Sequence, residues 1–225
     1  MKDWFILTAK SAAMQRLADL VRTGHTRYVC GRVPIDRAAH FIEKIDALHE
    51  VGLSKLEQSR KRKKGLASAR LIVLAPTKTD AQHIDFWLLM SDGAINAESN
   101  ERWRDALTDR ITHTNYELVR HTRSGSKKPA WTWRYTREQH QTLRDELVRV
   151  IRARQDHELV QMIAVIAKTP GFAGARVQVK DMMQLIRSEW QRRRKDDAMP
   201  ALPARIGYIR RLPDVGMKIS ELRAK

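Results

Sequence analysis

Along the first part of the chain, apolar positions recur now at strand spacing and now at helix spacing, and that alternation lays out the elements in turn. The run Trp4-Phe5-Ile6-Leu7, aromatic and branched, predicts a buried strand. A helix is expected over residues 11–21: Ser11 is its N-cap, Met14, Leu17, Ala18 and Val21 fall at helical spacing, and Gly24 stops it. Residues 28–33 predict a second strand. Pro34 and Asp36 then open a second helix, whose apolar positions Ala38, Phe41, Ile42, Ile45 and Leu48 recur at three and four. Strands are expected again at 69–74 and 85–90. A short helix fits 101–107, after which residues 116–120 and 130–135 alternate like the arms of a hairpin, with Ser-Gly and Pro129 as turn signals between them.

From Thr136 the period becomes helical. Leu143, Leu147, Val150 and Ile151 predict one amphipathic helix continuing through Leu159, Ile163 and Ile166. Pro170-Gly171 breaks it, and residues 177–194 supply a last long helix. The segment 200–216 is turn-rich and too short to fold alone. The expected class is α+β in two parts: an α+β domain over 1–135 that carries a basic insertion at 54–65, and a mainly helical, basic region over 136–225.

The polar positions carry a strong bias of sign. The chain has 43 Lys and Arg against 26 Asp and Glu, a formal charge of +17, and the excess is clustered, which points to a polyanionic partner rather than to a merely solubilising surface. No stretch approaches the roughly 18 consecutive apolar residues of a membrane helix, and the first ten residues hold too short an apolar run for a signal peptide, so neither membrane insertion nor secretion is expected. The single cysteine, Cys30, forms no internal disulfide, consistent with a reducing, cytoplasmic setting.

The sharpest cluster is residues 54–65, where Lys55, Arg60, Lys61, Arg62, Lys63 and Lys64 face only Glu57. Such a run cannot be core; as a helix or hairpin it can line a phosphate backbone or enter an A-form groove. A solvated loop is the plainer alternative. Around the expected hairpin, Arg120, Arg123, Lys127, Lys128, Arg134 and Arg137 form a second basic set, with Trp131, Trp133 and Tyr135 alternating on one face. Those aromatics either stack bases or pack on the helix that follows. A third set lies where Gly171 and Gly174 precede a helix carrying Arg176 and Lys180, an arrangement that suits a phosphate and equally a tight helix-to-helix turn. Arg192, Arg193 and Arg194 close the last helix as a further basic contact.

Catalytic motifs for metal hydrolysis or serine acyl transfer are missing from the sequence, the histidines lack metal-ligand spacing, and no cofactor or metal is expected. What remains is Gly24-His25-Thr26-Arg27-Tyr28, in which a histidine beside an arginine and a tyrosine can deprotonate a ribose 2′-hydroxyl and stabilise the pentacoordinate phosphate that results. The alternative is a surface histidine.

A strand-helix-strand-helix start, a strongly basic insertion, further strands and a late glycine-containing turn at 169–174 resemble the CRISPR RNA-processing endoribonucleases of the RAMP superfamily, in particular type IV members with an arginine-rich helical finger. The likeness covers the order of elements through Met90. It implies a ferredoxin-like, RRM-like N-terminal part, metal-independent cleavage of a stem-loop repeat RNA, and retention of the product in a ribonucleoprotein complex. It also implies His25 as base, Arg22, Arg27 and Tyr28 as auxiliary groups, and residues 60–64 as RNA contacts. Two other readings stand beside it: a non-enzymatic DNA-binding replication or partition factor of a plasmid or integrative element, and a structural RNA chaperone or ribosome-associated factor.

Overall fold

The computed structural model describes residues 3–76, 82–95, 99–122, 125 and 128–222. The chain divides into two compact units, one made of Met1–Arg110 with Arg211–Lys225 and the other of Ile111–Arg210. The class is α+β, as the alternating periods require. The division falls at 110/111, not at 135/136, because the hairpin packs with the helices that follow it and the last residues return to the first unit.

The first unit runs β1 (Phe5–Leu7), α1 (Lys10–Arg22), β2 (Arg27–Pro34), a 3-10 turn (Ile35–Arg37), α2 (Ala38–His49), α3 (Lys55–Lys63), β3 (Ala69–Leu74), β4 (His83–Met90) and β5 (Arg104–Asp105). Its sheet has the order β5-β2-β4-β3-β1, with β1 parallel to β3 and the other pairs antiparallel. Both long helices precede β3, so the order of elements differs from the β-α-β-β-α-β of ferredoxin-like folds. Alternation puts Val33, Val73 and Ile84 on one face, where Ala38, Ala39 and Ile42 of α2 cover them. The same contact extends through Ile45, Ala69, Leu88 and Met90. The helix expected at 101–107 is replaced by β5 and a turn: Asp105 accepts the Leu107 backbone N–H at 2.9 Å, an Asx turn that competes with helix.

In the second unit β6 (Thr112–His113), β7 (Tyr116–His121) and β8 (Ala130–Tyr135) form an antiparallel sheet in that order. Three helices follow, α4 (Arg137–Arg152), α5 (Asp156–Ala167) and α6 (Ala173–Arg193). The single helix expected through Ile166 is two, separated where Arg154 takes a left-handed conformation (φ 56°). Leu147, Val150 and Ile151 of α4, Leu159 and Ile166 of α5, and Met182 and Ile186 of α6 are buried. β8 is an edge strand, and Gln178 of α6 covers it: its side-chain amide accepts the Tyr135 N–H at 2.7 Å and donates to the Tyr135 carbonyl at 3.1 Å.

The tail then adds β9 (Gly216–Lys218) antiparallel to β1 in the first unit, and α7 (Ile219–Leu222), whose Ile219 enters the α2 core. Among the described residues no helix is long and apolar enough to cross a membrane.

Candidate nucleic-acid interface

The basic run is an ordered helix fixed at both ends. Ser54 is the N-cap of α3 and forms a capping box with Glu57: the Glu57 N–H donates to Ser54 Oγ at 3.3 Å, and the Ser54 N–H donates to Glu57 Oε2 at 2.8 Å. At the other end the Leu66 N–H reaches the Lys61 carbonyl and the Gly65 N–H the Arg62 carbonyl, a Schellman closure that Gly65 permits at φ 77°. Gln58, buried, anchors the inner side by donating to the Ala69 carbonyl of β3 at 3.0 Å. Four cations on the final turn also suit the negative end of the helix dipole.

At about 100° per residue, the five successive cations 60–64 point around the whole axis. The Lys61 side chain turns back to Glu50, as one with Gln58 on the protein side should. Arg60, Arg62, Lys63 and Lys64 are exposed and, among the described residues, pair with no carboxylate; Lys55 is likewise exposed. Leu56, 60% exposed, shares the outward stripe with Arg60 and Lys63.

His25 occupies a different position from the one a catalytic base needs. It is buried between the end of α1 and the starts of β2 and β3, with Nδ1 at 3.4 Å from Thr23 Oγ1 and Nε2 at 3.3 Å from Ser68 Oγ. Ser68 in turn contacts Ser91 Oγ at 3.2 Å, and both serines are buried. Burial, and then the nearby positive charge of Arg62, lower the His25 pKa from its ordinary 6.5 to about 4. The groups expected to assist it are turned elsewhere. Arg27 donates to the Ser91 and Gly93 carbonyls at 2.7 and 3.1 Å. Tyr28 is fully buried, donates to the Arg110 carbonyl at 3.2 Å, and has a pKa that burial raises to about 12. Arg22 is exposed beside Asp19. Arg27 and Tyr28 are thus bonded to backbone carbonyls rather than to the imidazole.

The second basic set is only partly offered to solvent. Arg123 and Lys127 lie outside the described residues. Arg120, Lys128 and Arg137 are exposed, while Arg134 is held at 2.8 Å by the buried Glu117. Two of the three aromatics are core rather than a stacking platform: Trp133 is fully buried, and Tyr135 stacks on Tyr116 with ring centroids 4.7 Å apart and bonds Thr169 through its hydroxyl at 2.6 Å, while Trp131 is half-buried.

The late glycine turn serves the chain itself. At Gly171 an added Cβ would lie 1.9 Å from the Gly207 carbonyl oxygen, and the Ile209 N–H donates to the Gly171 carbonyl, so the glycine admits the returning tail, not a phosphate. Arg176 bonds the Ile206 carbonyl at 2.7 Å and lies 3.5 Å from the Tyr208 ring centroid. At the end of α6, Arg192 pairs with Glu189 at 2.8 Å and Arg193 is exposed. Arg194 is buried, bound to Asp156 and Asp197 and packed on Trp190 at 4.0 Å, which makes it a staple between helices. Sequence reasoning missed Ser68 and Ser91, isolated hydroxyls with no motif, as well as Glu189, Asp156 and Asp197, which withdraw cations that the sequence counts as available. Set against known protein families, curated proteins and solved structures, the chain matches none of them.

Proposed function

We propose that the protein binds a nucleic-acid backbone through α3, and that its partner is structured RNA. The observation that carries this reading is a short helix, capped at both ends, that keeps four exposed cations on its final turn and C-cap, none of them in a salt bridge among the described residues. Like charges this close repel one another, and phosphates relieve that repulsion while releasing counterions. Several arginines of unit Ile111–Arg210 are instead neutralised within the fold: Arg134, Arg149, Arg152, Arg154 and Arg194 are all ion-paired. Cations that project to several sides of one helix can reach the phosphates that border a groove, and in structured RNA such backbone contacts and shape carry more of the recognition than base edges do. Binding is the function we assign. His25 is buried with both ring nitrogens against hydroxyls, which favours binding over cleavage.

The test is hairpin RNA binding by wild type and by a variant with Arg60, Arg62, Lys63 and Lys64 all changed to Gln. The variant should bind at least tenfold more weakly, and the slope of log K against log salt should fall by close to one unit for each phosphate no longer neutralised. B-form DNA of equal length should compete less well at the same ionic strength; better competition by DNA would transfer the assignment to duplex DNA. In EDTA the RNA should be recovered intact, and a single cut that disappears in His25→Ala would restore the cleavage expectation. Indifference of the wild type to both RNA and DNA at low salt would remove the reading.

A further inference from the structure

A groove in the second unit has the composition of a ligand site that the basic helix does not explain. One wall is a stripe of α6 at helical spacing, Ala173, Arg176, Val177, Lys180 and Arg187; the other is the returning segment 203–208. The segment is fixed in place, since the close approach at Gly171 and the Arg176 contacts with Ile206 and Tyr208 hold it along the helix. Between the walls lies a cavity of about 560 Å³, inside the roughly 300–1,000 Å³ range of small-molecule sites.

Its lining has two kinds of surface. Its apolar lining comes from Val177, Met183, Pro203 and Ile206, with Tyr208, 63% exposed, beside them. Among the described residues, every formally charged side chain that lines it is cationic: Arg176, Lys180, Arg187 and Arg205. Arg176 is committed to the tail, whereas Lys180, Arg187 and Arg205 are exposed and, among the described residues, pair with no carboxylate. These three stand on both walls, Lys180 and Arg187 on the helix and Arg205 on the segment.

We propose that this groove holds an unpaired nucleotide of a bound nucleic-acid chain, with the base against Tyr208 and the apolar lining and the flanking phosphates on Lys180, Arg187 and Arg205. The proposal rests on the nucleic-acid reading above and adds a single-strand site to it. Apolar side chains and an aromatic ring accept the π-face of any base, and cations spaced on two walls follow a backbone that passes across them. An acidic peptide would satisfy the cations too, but it would bury its amide groups against alkyl side chains without partners.

The experiment uses the full chain and two fluorescent probes, an oligouridine and a blunt RNA duplex of equal phosphate count. Changing Lys180, Arg187 and Arg205 together to Ala should weaken oligouridine binding at least tenfold and reduce its salt slope by about two units, at roughly 0.7 per phosphate. Tyr208→Ala should cost roughly five- to a hundredfold, the range for removal of one stacked base, while Tyr208→Phe keeps wild-type affinity. Duplex binding should stay within twofold in all three. Because Tyr208→Ala also removes the Arg176 contact, a second measurement uses unaltered protein: 4-thiouridine in the oligouridine should photo-crosslink to the peptide containing Tyr208. Equal weakening of both probes, no weakening of the single strand, crosslinks confined to other peptides, or displacement of oligouridine from the groove by polyglutamate of equal charge would each overturn the proposal. If the groove variants bind normally while the α3 variant fails, the groove assignment falls and the function stands. If the wild type binds neither probe at low salt, the function falls and takes the groove with it.

Discussion

His25 shows how one side chain's surroundings decide what it can do. A free imidazole titrates near neutrality, but this one is buried, contacts hydroxyls through both nitrogens, and has the Arg62 charge nearby, so its pKa drops to about 4. The folded state therefore keeps it neutral at pH values where the unfolded chain would already have taken up a proton. Stability from this group is complete above pH 6.5 and is lost as pH falls toward 4, by about 3 to 4 kcal/mol at about 1.4 kcal/mol per pH unit. His140, whose pKa is also lowered by burial, contributes a slope of the same sign, so the informative quantity is a difference between proteins. His25→Gln, which cannot titrate, should lower stability at pH 7 yet flatten the dependence of urea midpoint on pH between 6.5 and 4. An unchanged slope would show that the imidazole is not held neutral. The same contrast between residue type and surroundings separates Arg193 from Arg194, neighbours with one chemistry: the first is exposed, while the second is bound by Asp156 and Asp197, one of them 38 positions away.

At the scale of elements, α3 forms because its ends are closed, not because its residues repay burial. Gln58 is its only buried residue, so the capping box and the Gly65 closure carry unusual weight for nine residues. Ser54→Ala should cost about 1 kcal/mol of local helix stability, seen as roughly fivefold faster amide exchange at Glu57 and Gln58, whose N–H groups bond Ser54. RNA affinity should fall several-fold while the salt slope stays near wild type, since no charge is removed; unaltered exchange would mean that Gln58 and Gly65 alone hold the helix. Elements of this kind are legible in sequence, because a cap, a charge run and a glycine are local signals. So are β3 at residues 69–74 and β8 at 130–135, which match the alternating runs residue for residue. Elements defined by distant partners are not. β5 is two residues whose strand character comes from pairing with Arg27 and Tyr28. The break between α4 and α5 is fixed by the left-handed Arg154 and by Arg194 gripping Asp156 at the start of α5, neither of which alters the apolar period. The candidate site divides in the same way: the cations of α3 can be read from the run, but which other arginines are already neutralised depends on carboxylates that only the fold brings close.

For the whole molecule, the tail links two regions the sequence places at opposite ends. Gly216–Lys218 has too little alternation to predict a strand, and it is one only because the free edge of β1 lies beside it, with Phe5 opposite Lys218 and Leu7 opposite Gly216. Leu212 is bound by Gln15 and Arg16 of α1, and Ile219 fills the core beneath α2, so unit Met1–Arg110 is incomplete without residues 211–222. The second unit is continuous in sequence and carries its own sheet and core. It follows that damage at the tail should appear in the first unit. At Gly216 an added Cβ would sit 2.0 Å from the Ile6 carbonyl oxygen, a backbone atom with little room to move, so Gly216→Ala should break the β1–β9 pairing. Disruption of that pairing and of the Ile219 anchor should destabilise the first unit by about 2 to 4 kcal/mol. Hydrogen exchange resolved by segment should then show faster exchange in β1, β3 and α2 and unchanged protection in α4, α5 and α6. Uniform acceleration across both sets would mean that the units unfold as one, and protection retained in β1 would mean that the tail strand is an ornament of the sheet rather than part of its closure.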